Sequence, residues 1–183
     1  MDKTKNQSYN EWLVINSQLG DSRALNELLK SWHQRLFLYA VRKLGDQEAA
    51  KEVVQECLLS ITKSLNSLNN PAAFPKWCYK VLDRRCTDYI RKSMKIRKYQ
   101  SSLSDEVIEQ IHDGTDPSWQ FEEKLTIEQA LKQLNPKLAL LLKLYYQESF
   151  SILEIAEITG LPEGTVKSRL FYARKMLTSI LED

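Results

Sequence analysis

Glycine and proline are scarce in this chain, at five each among 183 residues. Amphipathic periods recur along most of the sequence, so the scarcity of chain-breaking residues points to an all-α protein. Cysteine and histidine are nearly as sparse. Cys57, Cys78 and Cys86 are odd in number and form no CxxC pair, and His33 and His112 are the only histidines. A disulfide framework or a zinc site is therefore not expected, and the pattern fits a reducing cytosol. No apolar stretch approaches the roughly twenty residues needed to cross a bilayer, and the N-terminus lacks a signal-type hydrophobic core. The expectation is a soluble cytoplasmic protein without membrane insertion. Also missing are a nucleophile paired with a base, a metal-ligand cluster and a glycine-rich phosphate loop, so neither enzymatic activity nor a cofactor is expected.

Net charge is nearly balanced at +2, but its distribution is uneven. Between positions 71 and 100 the cations are Lys76, Lys80, Arg84, Arg85, Arg91, Lys92, Lys95, Arg97 and Lys98, against Asp83 and Asp88 alone. Between positions 104 and 123 there are seven acids and no cation. A basic block followed by an acidic one suggests a polyanionic partner for the first region and a connecting role for the second.

The apolar periods divide the chain. A short start with Trp12, Leu13, Ile15 and Leu19 stops at Gly20, where Asp21 or Ser22 can cap the next helix. That helix carries Leu25, Leu28, Leu29, Trp32, Leu36, Phe37, Ala40 and Leu44 and ends at Gly45. Asp46 can cap a third helix with Val53, Val54, Cys57 and Ile61 inward and Glu48, Lys51, Glu52, Gln55 and Glu56 outward. A polar loop, "NSLNNP", leads to a fourth helix from Pro71 to about Lys92. The pattern then fades, so residues 93–117 read as a linker holding at most one short helical turn. Residues 118–183 read as a second domain: a helix to Gln133, a break at Asn135-Pro136, and further short helices. The expected fold is thus all-α, with two small helical domains, 1–92 and 118–183, joined by that linker.

The second domain closes on "GLPEGTVKSRLFYARK", Gly160 to Lys175. Gly160 suits the left-handed end of one helix and Pro162 the first turn of the next, which makes a helix-turn-helix. In the second helix Val166, Leu170, Ala173 and Leu177 form the inward stripe. Thr165, Lys167, Ser168, Arg169, Phe171, Tyr172 and Arg174 are left on or near the surface. Hydroxyls and N–H groups at a helix start can hold phosphate, cations can reach guanine edges or phosphates, and an aromatic ring can meet a thymine methyl. A solvated helix with cations for solubility shares the composition. Turn and helix together favour a DNA major groove but do not say which sequence it reads.

Three stretches carry a family resemblance: "AAKEVVQECLL" (Ala49 to Leu59), "FPKWCYKVLDRRCTDYIRK" (Phe74 to Lys92), and Ala130 to Leu177, with "EIAEITGLPEGTVKSRL" the most specific part. In that order they resemble an extracytoplasmic-function (ECF) sigma factor, the two-domain specificity subunit of RNA polymerase. The resemblance implies that Glu52, Gln55, Glu56 and Leu59 contact core polymerase. It implies minus-ten recognition and melting by the basic helix, with Lys76, Lys80, Arg84, Arg91 and Lys92 on phosphates and Asn69 and Asn70 in the loop that captures a flipped base. The outward set of the last helix would then read the minus-thirty-five element. Arg84 stands where the family commonly has Asn, and Tyr172 where a basic residue is frequent, which bears on the bases that are read. Phe74, Trp77 and Tyr89 could be base platforms or core. Trp77 is assigned to the core because its spacing with Val81 continues an apolar face. Implied partners are core polymerase and promoter DNA, duplex and melted, with room for an anti-sigma protein. The competing reading, a free-standing helix-turn-helix regulator, would have no use for the first domain.

Overall fold

The computed structural model describes residues 3–101 and 127–182, and these contain helices and turns but no strand. The helices are α1 (Lys3–Gln18), α2 (Ser22–Leu44), α3 (Gln47–Ser64), α4 (Phe74–Ser101), α5 (Ile127–Gln133), α6 (Pro136–Leu142), α7 (Ile152–Thr159) and α8 (Glu163–Glu182). Short 3₁₀ turns at Leu65–Ser67 and Pro71–Ala73 join α3 to α4, and a π-helical turn over Lys143–Gln147 extends α6.

The helix ends follow from side-chain chemistry. Asp21 accepts from the amides of Arg23 and Ala24 at 2.8 and 3.3 Å, and Asp46 accepts from those of Glu48 and Ala49 at 2.8 and 3.2 Å. Each carboxylate thereby satisfies amides that the first turn leaves without intrahelical partners. Gly45 ends α2 at φ 72°, a left-handed conformation that a Cβ would strain. Asn135 caps α6 with Pro136 just inside its first turn.

In the first domain α2, α3 and α4 pack around Leu28, Trp32, Leu36, Tyr39, Val53, Val54, Cys57, Ile61, Phe74, Cys78, Tyr79 and Leu82, all buried. Trp32 is the hub. Its ring meets Phe74 and Tyr79 edge-on at 5.5 and 6.0 Å, and its Nε1–H donates to Asn10 Oδ1 at 3.1 Å. In the second domain Leu134, Leu140, Leu141, Leu144, Ile155, Ile158, Val166, Leu170 and Ala173 are buried where α5, α6 and α7 pack on α8. The two cores are continuous: α2 packs on α6 and α4 on α7, with Phe150 buried against Tyr79.

Two sequence expectations change. The stripe on α1 is rotated, with Leu13 and Val14 fully buried while Trp12, Ile15 and Leu19 are exposed. Polar anchors fix that phase, since Gln18 donates to the carbonyls of Leu65 and Leu68 at 2.9 and 2.8 Å, while Asn10 holds Trp32. Trp12 instead stacks on Tyr9 at 5.9 Å.

The second change is at the end of α4, which runs past the expected stop at Lys92 to Ser101. No glycine or proline interrupts that stretch, and its Lys, Arg and Met are good helix formers, so helix persists where the apolar stripe has gone. The rest of the expected linker, 102–117, lies outside the described residues, as does the expected start of the second domain, 118–126.

Candidate nucleic-acid interface

Three surfaces carry the residues singled out by sequence. On α3, Val53, Val54 and Cys57 face the core, which turns Glu52, Gln55, Glu56 and Leu59 outward. Leu59 is 56% exposed, an apolar side chain at the end of an acidic and amide row. Glu56 has a neighbour that the sequence did not reveal: Arg85 on α4 approaches it at 3.8 Å and donates to Ser60 Oγ at 2.7 Å.

The second surface is the loop and basic helix before position 92. Asn69 and Asn70 are exposed, but Asn70 spends its side-chain oxygen on the amide of Ala72 at 3.0 Å, capping the turn into α4. Lys80, Arg84, Arg91 and Lys92 are exposed on α4, whereas Lys76 is half-buried. Asp83, read from sequence as one of two acids tempering the block, is buried. Its carboxylate is bonded by Lys43 Nζ and receives the Tyr39 hydroxyl, and Lys43 also reaches Thr87 Oγ1 at 3.1 Å. Burial and the Asp83 charge push the Tyr39 phenol well above its ordinary pKa, which keeps it a donor. With Asp83 matched internally, the outer face of α4 is more cationic than its composition suggests. Phe74 is fully buried, while Trp77 and Tyr89 are half-buried against the core, Trp77 lying 6.0 Å from Phe74. Trp77 also lines an open groove of about 780 Å³ shared with Lys80, Arg84, Arg91 and the end of α7.

The third surface is α8. A capping box at Ser151 and Glu154 starts α7, Gly160 ends it at φ 69°, and Glu163 opens α8. This is a helix-turn-helix. Val166, Leu170 and Ala173 are buried, so Lys167, Ser168, Phe171, Tyr172 and Arg174 project from the opposite face. Phe171 and Tyr172 are 66% and 55% exposed and sit next to one another on that face, beside the exposed cations Lys167 and Arg174. Thr165 and Arg169 are half-buried at the edge of the stripe. Ser168 Oγ donates to the Thr165 carbonyl at 3.1 Å.

The buried thiols do not belong to any of these surfaces. Burial pushes Cys57 and Cys86 up to about 12 and raises Cys78 as well, so all three are neutral and unreactive at physiological pH. No metal-ligand group occurs among the described residues, and no described helix is long and apolar enough to cross a membrane.

Residues 28–96 match the Sigma-70 region 2 model and residues 124–177 the Sigma-70 region 4 model. RNA polymerase sigma factor SigV of Bacillus subtilis is 31% identical over 79% of this chain and 82% of its own length. The ECF RNA polymerase sigma factor SigW of the same organism is 25% identical over 90% of this chain and 92% of its own. Among solved structures, the sigma factor RpoE of Bartonella quintana, crystallised with the anti-sigma factor NepR, superposes with a TM-score of 0.57. It has 22% identity and covers 86% of this chain and 96% of that one, a likeness of fold. The first two surfaces lie in the region 2 match and the third in the region 4 match, and the chain belongs to the ECF family of RNA polymerase sigma factors.

Proposed function

We propose that this chain divides the work of initiation among its three surfaces. Glu52, Gln55, Glu56 and Leu59 on α3 dock on core RNA polymerase. The cations of α4 hold the backbone of the minus-ten element, with Asn69 and Asn70 beside the flipped base. Thr165, Lys167, Ser168, Arg169, Phe171, Tyr172 and Arg174 read the minus-thirty-five element in the major groove. The observation that carries this reading is the presence in one chain of an acidic docking face and two separate cationic faces, each set by the phase of its own helix. The chain acts in the cytoplasm beside polymerase and catalyses nothing itself; phosphodiester chemistry belongs to the polymerase. An anti-sigma protein is its proposed regulator.

A free-standing regulator would need α5 to α8 and have no use for α3 and α4. The division 1–92, 93–117 and 118–183 is kept as the functional partition, with the structural extent of the first unit carried to Ser101 by α4.

Exchanging Glu52 for Lys tests the docking face, because Glu56→Lys would also repel Arg85. The variant is expected to lose comigration with core polymerase while keeping the DNA affinity of wild type. Unchanged competition for core polymerase would remove α3 from the interface.

A further inference from the structure

The connection between α3 and α4 is short and closely held. Its two 3₁₀ turns, Leu65–Ser67 and Pro71–Ala73, leave only Leu68, Asn69 and Asn70 between them. Most of its bonds are local. Ser67 Oγ donates to the Ser64 carbonyl at 2.7 Å and the Leu68 amide to the Leu65 carbonyl at 3.1 Å, which closes the first turn. Asn70 closes the second, its side-chain oxygen accepting from the Ala72 amide and its carbonyl from the Ala73 amide, both at 3.0 Å.

One contact comes from far away in the sequence. Gln18, half-buried at the end of α1, donates from Nε2 to the carbonyls of Leu65 at 2.9 Å and Leu68 at 2.8 Å. Carbonyl oxygens can only accept, so the nitrogen end of the Gln18 amide must face the loop, and both of its N–H groups are engaged there. A peptide unit is planar, so holding the Leu68 oxygen also holds the N–H and Cα of Asn69. On the other flank the Asn70 carbonyl is held by Ala73. Asn69 is thus an exposed side chain on a backbone gripped on both sides, and the grip nearer α3 depends on Gln18. The helix that supplies it has anchors of its own, since Leu13 and Val14 are buried and Asn10 holds Trp32.

We propose that Gln18 is a positioning residue for base capture: it fixes the Leu68–Asn69 peptide so that the Asn69 amide meets the flipped minus-ten base in one orientation. This rests on the assignment of Asn69 and Asn70 to that base. A loop ordered before DNA arrives loses less conformational freedom on taking up the base, and a fixed amide fits one base edge better than the others.

The test uses the complex of the full chain with core polymerase and forked DNA from a promoter located by mapping its transcript starts. The forks carry each of the four bases, or an abasic site, at the unpaired minus-ten position that wild type discriminates most strongly. Gln18→Met keeps the length of the side chain but has no donor. It is expected to lower the preference for the best base about three- to tenfold, the scale of one or two neutral hydrogen bonds. Gln18→Glu, which turns a carboxylate toward the two carbonyls, should lower it at least as far. On the abasic fork both variants should bind like wild type. In an Asn69→Ala background, Gln18→Met should change the preference no further, since the two residues act through one contact. Undiminished preference, an equal loss on the abasic fork, or a loss that adds in full to that of Asn69→Ala would make Gln18 a purely structural residue and overturn the proposal. Asn69→Ala and Asn70→Ala that each leave the preference intact would show instead that the loop does not read the base, and the proposal would fall with that reading.

Discussion

Lys43 and Asp83 meet across the seam between α2 and α4, the ammonium bonded to the carboxylate and the Tyr39 hydroxyl donated to the same oxygen. Asp83 is the only buried polar or charged residue among those described. Its charge is tolerable because one cation and one hydroxyl share it, and the pair sets the register of α4 beneath its cationic face.

Removing one partner should therefore be costly. Lys43→Met is expected to lower stability by roughly 2 to 4 kcal/mol, below a fully buried pair because both side chains retain some water contact. Adding Asp83→Leu should recover most of that loss, since an apolar pair leaves no stranded charge. Urea unfolding of the single and double variants checks both values. An unaffected single variant would mean that water already satisfies Asp83.

Gly160→Ala should weaken the second domain without touching any surface residue assigned to DNA. At φ 69° an alanine costs roughly 1 to 2 kcal/mol, although the added Cβ would meet no atom within 4 Å. Thermal unfolding followed by circular dichroism reads this. A neutral result would show that the turn relaxes to a right-handed conformation.

The thiols should be silent in the native state. With Cys57 and Cys86 raised to about 12 and all three side chains buried, thiol reagents should modify the folded chain slowly at about pH 8 and the denatured chain at the rate of free cysteine. Rapid native-state labelling would mean that the α3–α4 seam opens far more often than its packing suggests.

On α8, Lys167→Ala should cost about 1 to 3 kcal/mol of DNA binding in a manner that depends on the base offered. Arg169 emerges at the half-buried edge of the stripe, so Arg169→Ala should weaken all sequences alike and lower the salt slope by about one unit, as a phosphate contact does. Binding isotherms on a small duplex library at several salt concentrations separate the two behaviours. The opposite pattern would exchange their roles.

Much of this architecture is local chemistry and could be read directly. Asp21, Asp46, Gly45 and Gly160 cap the helices that their types suggest, and the Val166, Leu170 and Ala173 stripe orients α8 as its period requires. What escaped was set by contacts between distant segments. Trp12 and Ile15 look like core, yet Gln18 and Asn10 turn α1 so that Leu13 and Val14 face inward. Past Lys92, α4 continues through exposed Met94, Lys95 and Ile96 with no apolar period to detect. Arg35–Glu148, Lys76–Glu157 and Asp83–Lys43 join charges that only the tertiary fold brings together. The roles of Glu52, Asn69 and their neighbours came from the resemblance, because an exposed acidic row or a polar loop has no period that points to a partner.

Initiation itself is the most direct measurement. Purified chain is mixed with core RNA polymerase and genomic DNA of its host, and transcript starts are mapped against core polymerase alone. The expected result is a discrete set of new starts, each preceded by the same two separated sequence elements. Starts would be lost with Glu52→Lys, and those with altered upstream elements would be lost selectively with Lys167→Ala. Starts confined to DNA ends and nicks, unchanged by adding the chain, would contradict the assignment of promoter recognition to these three surfaces.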